Sequence, residues 1–185
     1  MPEGRITVGI DGDYVRSRNK NQPHFEVMVA KSMPADRPNR YLGLVHTHDT
    51  RPKRRLHEVL KEQGLQENQP VTFLTDSGDT VQNMALYMAP ASEHLLDWFH
   101  ITMRITVMRQ YVKGLSHHNP DERRATDRLL RQIKGYLWNG NLRDGHRVIE
   151  EVAMDLECIE TDYPSIKALR KAANEFEVYI RNNAW

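Results

Sequence analysis

The sequence predicts an α/β chain: a mixed sheet, three antiparallel strands followed by parallel ones, and then an all-helical region. Three observations carry this. Short runs in the first half alternate apolar and polar residues, as strands do. Those runs are joined first by short polar links and later by helical stretches. Beyond residue 115 apolar residues recur at steps of three and four, and no convincing strand pattern remains.

In the first strand Ile6, Val8 and Ile10 fall on one face, and Thr7, Gly9 and Asp11 on the other. A polar turn, Arg16 to Pro23, leads to a second strand in which Phe25, Val27 and Val29 alternate with Glu26 and Met28. The connector Met33 to Asn39 leads to a third strand, Tyr41 to His46, and the short links make the three an antiparallel meander. Thr50-Arg51-Pro52 opens a helix with Leu56, Val59 and Leu60 on one face and Gly64 as its stop. Val71 to Thr75 is a continuous apolar-leaning run, the pattern of a central strand. Ser77-Gly78-Asp79 starts a helix over Thr80 to Met88, ended by Ala89-Pro90. A fifth strand is expected from His94 to about Trp98, then a helix from Ile101 to Leu115.

No strand is expected from 116 to 185. Asn119-Pro120-Asp121-Glu122 combines a cap, a first-turn proline and acids near the positive helix end. Thr126, Leu130, Ile133 and Leu137 form the inner face of that helix, and Gly140 closes it. The next, Leu142 to Glu160, carries Val148, Val152, Leu156 and Ile159. Tyr163-Pro164-Ser165 begins the last, with Ile166, Leu169, Ala173, Phe176 and Ile180 on one side. The expected domains are therefore 1–115 and 116–185. This order of elements is that of the ribonuclease H-like fold, in which the first and fourth strands are neighbours and carry metal-binding carboxylates.

Composition limits the function. Lys and Arg number 26 against 25 Asp and Glu, so nucleic-acid binding has to come from local patches. The single cysteine, Cys158, excludes an internal disulfide and a Cys-rich zinc module. That fits a reducing cytoplasm. No apolar run approaches the roughly 18 residues of a membrane span, and the first residues lack a signal-peptide core.

The chemistry centres on Asp11 and Asp76. Each ends an apolar strand, where a carboxylate is costly to desolvate unless a positive charge sits beside it. If the two strands lie side by side, the two carboxylates hold divalent metal between them. Magnesium takes oxygen ligands and retains water, so two or three carboxylates suffice. Asp11-Gly12 also suits a hairpin turn, and Asp76 to Asp79 a helix cap.

The segments Val8-Gly9-Ile10-Asp11-Gly12-Asp13-Tyr14-Val15-Arg16, Thr72 to Val81 (TFLTDSGDTV), His94-Leu95-Leu96-Asp97-Trp98-Phe99-His100 and Asp49 to Leu56 (DTRPKRRL) resemble the catalytic core of ISKra-type insertion-sequence transposases. The likeness runs from about Ile6 onward, with Asp13 where that pattern has Gly. It implies a member of the DDE superfamily, in which two Asp and one Glu bind Mg2+ (Mn2+ substitutes) for DNA cleavage and strand transfer. Asp11 and Asp76 match the first two acids. Asp97 and His100 match an Asp-x-x-His signature, and Asp79 is a further accessory carboxylate. The third acid would lie in a segment resembling Phe-Val-Glu-Ser, which this sequence does not contain; Glu150, Glu151, Glu175 and Glu177 read as solvated helix faces. The family's N-terminal DNA-binding region is also unmatched. The expectation is a central piece of a transposase, inactive alone, whose partners are transposon-end and target DNA and, at full length, further copies of itself. Bacterial cytoplasm and the nucleoid are the expected setting.

Arg124, Arg128 and Arg131 step by four and three opposite the apolar face, as a row along a DNA backbone or as an ordinary solvated face. Lys53-Arg54-Arg55 places basic charge at a helix start, which calls for a partner anion such as phosphate. Arg16 and Arg18 follow Asp11 and are placed to meet DNA. His100 reads either as a packed core residue or as an imidazole oriented by Asp97; His117-His118 reads as exposed. Two rivals remain: a catalytically inactive remnant that binds DNA or a full-length transposase, and, from Val8 to Gly12 alone, an actin-fold sugar kinase.

Overall fold

The computed structural model describes residues 5–19, 24–45, 48–76, 79–88, 92–115 and 120–183. Five strands and six helices follow in the order β1 (Ile6–Val15), β2 (Phe25–Pro34), β3 (Arg40–Val45), α1 (Pro52–Glu62), β4 (Val71–Thr75), α2 (Asp79–Met88), β5 (Glu93–Leu96), α3 (Trp98–Gly114), α4 (Pro120–Trp138), α5 (Leu142–Cys158) and α6 (Ile166–Asn183). The chain divides into a sheet unit, Met1–Asp97, and a helical unit, Trp98–Trp185.

The sheet unit holds one five-stranded sheet in the order β3-β2-β1-β4-β5. β1 and β2, and β2 and β3, are antiparallel; β1 and β4, and β4 and β5, are parallel. The meander and the side-by-side first and fourth strands are thus as the sequence predicts. Ile6, Val8 and Ile10 of β1 are buried with Met28, Ala30, Leu44, Val71 and Phe73. Leu56 and Leu60 of α1, and Val81, Met84 and Ala85 of α2, complete that core. On the other sheet face Val29, Tyr41 and Leu95 are exposed. Asp11-Gly12 is no hairpin turn. Both residues lie within β1, paired with Val29 and Met28, because the β1–β2 ladder runs on to Val15 and Phe25.

β5 ends at Leu96, two residues short of the expected Trp98, and α3 begins at Trp98 rather than Ile101. The helical period of Ile101, Ile105, Met108 and Val112, all buried, extends back by nearly a turn. By its contacts α3 packs with α4 and α6, so it groups with the helices that follow and not with the sheet.

The helical unit packs α3 on α4 and α6, α4 on α5, and α5 on α6. Its apolar faces are the expected ones: Thr126, Leu130 and Ile133 are buried on α4, and Ile166, Leu169, Ala173, Phe176 and Ile180 on α6. The α4–α5 turn needs Gly140, whose φ of 69° lies in the left-handed region. Asn141 then caps α5, its side chain accepting from the Asp144 amide. At the other end of α5, Arg170 reaches over from α6. It donates to the carbonyls of Leu156 (2.8 Å), Ile159 (2.9 Å) and Glu157 (3.3 Å), groups that a helix end leaves without internal partners. The expected Asn119 cap and His117-His118 lie outside the described residues.

One titratable group is built into the sheet. The His94 ring stacks on Phe73 with centroids 5.5 Å apart, and burial pulls its pKa below the usual 6.5. The unfolded chain then binds more protons than the folded one, so stability is fully present above pH 6.5 and declines as pH falls below it. Urea titration should give a lower midpoint at pH 5.5 than at pH 7.5, with that difference reduced in His94→Leu. An equal pH dependence in the variant would assign the effect to other groups.

Candidate carboxylate site

Ile10 of β1 is in register with Thr75 of β4, and Thr75 with Leu96 of β5. The row crosses three adjacent parallel strands, and the next residue on each is an aspartate: Asp11, Asp76 and Asp97. The ladder reaches the last of them, since the Asp97 amide donates to the Thr75 carbonyl at 2.9 Å. Parallel neighbours lie about 4.8 Å apart, and alternation turns consecutive residues to opposite faces. Ile10 and Thr75 are buried, so Asp11 and Asp76 face away from the core. Asp11 is exposed and Asp76 and Asp97 are half-buried, which keeps carboxylates in reach of water.

Among the described residues, no three His, Cys, Asp or Glu side chains form a group that could hold a metal ion. The arrangement is a backbone row of hard oxygen donors, not a closed cage. The sequence offers Asp97 as an accessory that orients His100; the ladder bond to Thr75 sets it at the end of β5, beside the end of β4. The signal was present in the sequence, since Leu96-Asp97 repeats the apolar-then-aspartate ending of Ile10-Asp11. His100 lies in the helical unit, half-buried, with its ring edge-on to Phe99 at 5.6 Å. Asp79 begins α2; its side chain lies outside the described residues.

The basic residues divide by their partners. The Lys53 ammonium sits 5.3 Å from the Tyr87 ring centre, Arg54 pairs with Glu58 at 2.7 Å, and Arg55 pairs with Asp49. Arg54 and Arg55 thus meet anions from within the chain, and Lys53 a neutral aromatic ring. Asp49 also accepts the Val45 amide at 2.9 Å, and this bond first, then Arg55, holds its carboxyl below the usual range. Arg16 and Arg18 are exposed just beyond β1. On α4, Arg124 pairs with Asp121 and Arg131 with Asp127, while Arg128 is exposed without an ion pair among the described residues. Asp127 also takes Arg109 at 2.7 Å, and that bond is the main cause of its lowered pKa. Of the glutamates considered for a third acid, Glu151, Glu175 and Glu177 pair with Arg147, Lys171 and Arg181, and Glu150 is exposed.

Comparison with protein-family models, with curated proteins and with solved structures found no match to this chain.

Proposed function

We propose that the chain is the central part of the catalytic core of an ISKra-type DDE transposase, built on a ribonuclease H-like sheet, and that Asp11 and Asp76 are two of its metal-binding carboxylates. The observation that carries the reading is the β1–β4 register, which sets the two aspartates side by side one step past Ile10 and Thr75. Magnesium bound there supplies charge neutralisation at the attacking and leaving oxygens of a phosphodiester. Asp11 and Asp76 would hold the cation, Asp97 adds a neighbouring carboxylate, and Asp79 is accessory. Arg16 and Arg18, exposed just beyond the strand that carries Asp11, would contact the DNA backbone.

Manganese titration followed by calorimetry tests the site. The expected result is weak binding that falls roughly tenfold or more in Asp11→Asn and in Asp76→Asn, because each change removes a charged oxygen donor. Binding unchanged in both variants would place the cation elsewhere.

A second reading, DNA binding without catalysis, is favoured for this chain by the absence of a three-acid group among the described residues. Manganese-dependent nicking of transposon-end DNA, lost in Asp76→Asn, would rule it out. Nicking that persists in both variants would overturn the DDE assignment.

A further inference from the structure

The α4 row of arginines does not stop at Arg131. Arg124, Arg128, Arg131, Gly135 and Trp138 step by four, three, four and three, so they share one helix face. Arg123, Arg124, Arg128 and Arg131 line an open groove of about 790 Å³ together with Asp121 and Asp127, the partners of Arg124 and Arg131. Arg131 also lines a second cavity, of about 460 Å³, with Lys134, Gly135, Trp138 and Trp98 of α3. A groove with more arginines than aspartates, in which Arg128 has no ion pair among the described residues, therefore leads to an aromatic site within the helical unit.

Three features of that site are not explained by packing. Trp138 is 68% exposed, although burying an indole is among the larger gains open to a fold. Its ring contacts Trp98 with centroids 5.1 Å apart and planes tilted by 57°, so the pair is a platform, with no slot between the rings. Gly135 sits in the interior of α4, where glycine is disfavoured relative to alanine. A Cβ there would meet no atom within 4 Å, so no neighbour in the fold requires its bareness. It leaves a flat floor beside an exposed indole face. Lys134, without an ion pair among the described residues, and Arg131 supply the cavity's polar lining, and no carboxylate lines it.

We infer that this face binds single-stranded nucleic acid: an unpaired base stacks on Trp138 over Gly135, and Arg131, Lys134 and Arg128 take the flanking phosphates. Any base offers a π-face to an exposed indole, and a cationic groove follows a backbone without reading sequence. An acidic or apolar protein surface would not use both the bare floor and the row of cations. The inference deepens the DNA reading above, yet it rests on the helical unit alone and not on the carboxylates.

The test is fluorescence anisotropy with a labelled oligothymidylate of about a dozen nucleotides, its RNA counterpart and a duplex of the same length. Trp138→Ala is expected to weaken single-strand binding about tenfold or more, with duplex binding changed less than about twofold. Gly135→Ala should raise the melting temperature and still weaken single-strand binding, so the loss is not one of folding. Arg128→Gln should reduce the salt slope of log K by about 1. Equal single-strand affinity in Trp138→Ala and the parent would overturn the inference. So would a dimer that Trp138→Ala dissociates while oligonucleotide binding is unchanged. Duplex binding alone would overturn it and leave the DNA reading standing; no binding to any of the three probes would remove both.

Discussion

Phe73→Ala is expected to lower the stability of the sheet unit by about 3–5 kcal/mol. Phe73 is fully buried at the centre of β4, with β1 on one side and β5 on the other. Truncation removes the ring from between the sheet and the α1–α2 layer, and a fixed backbone cannot close the cavity. A small domain has about 5–15 kcal/mol in total, so the change approaches the whole margin. The loss should be read from urea unfolding by circular dichroism and from hydrogen exchange of the β4 amides. The substitution also removes the ring against which His94 is desolvated, so the pH dependence below 6.5 should shrink with it. A loss under about 1 kcal/mol would mean that β4 is not the centre of this core.

The second large effect belongs to the helical unit. Arg170→Met should cost about 2–3 kcal/mol, because one guanidinium holds three carbonyls at the end of α5. The methionine keeps the aliphatic stem over α5 and removes only the donors. Arg170→Lys should recover little, since an ammonium on a flexible stem cannot reach three acceptors as a planar fork does. Thermal unfolding of the three proteins checks this, with Arg170→Lys lying near Arg170→Met. A lysine variant as stable as the parent would reduce the effect to simple charge at a helix end.

Local pattern made most of the fold legible. Alternation in Ile6 to Asp11 and steps of three and four in Ile166 to Ile180 are imposed by backbone geometry, and they identified both the elements and their buried faces. Joints were less legible. Whether β5 ends at Leu96 or Trp98 depends on the ladder bond from the Asp97 amide, and the grouping of α3 depends on contacts with α4 and α6. Neither is encoded locally. The same holds for the charges: the partners of Lys53, Arg54 and Arg55 (Tyr87, Glu58 and Asp49) are set by the fold and not by any local pattern. That the strands ending in Asp11 and Asp76 are neighbours was readable from the order of elements; the register that aligns Ile10 with Thr75 was not. The Arg170 cap was hidden, because its acceptors are main-chain groups that no side-chain pattern reports.

The β1–β4 ladder also bears on how quickly the site comes into being. It joins Ile6 to Val71 across two other strands and a helix, while most pairs in the helical unit link consecutive helices. Chain entropy is surrendered before such a distant contact returns anything, so pairings of this kind form late and slowly. A full-length chain folding from the unfolded state would form its helices and its β1–β2–β3 meander before the β1–β4 ladder closed. The closeness of the two strand ends that carry Asp11 and Asp76 therefore belongs to the late, long-range stage of sheet assembly.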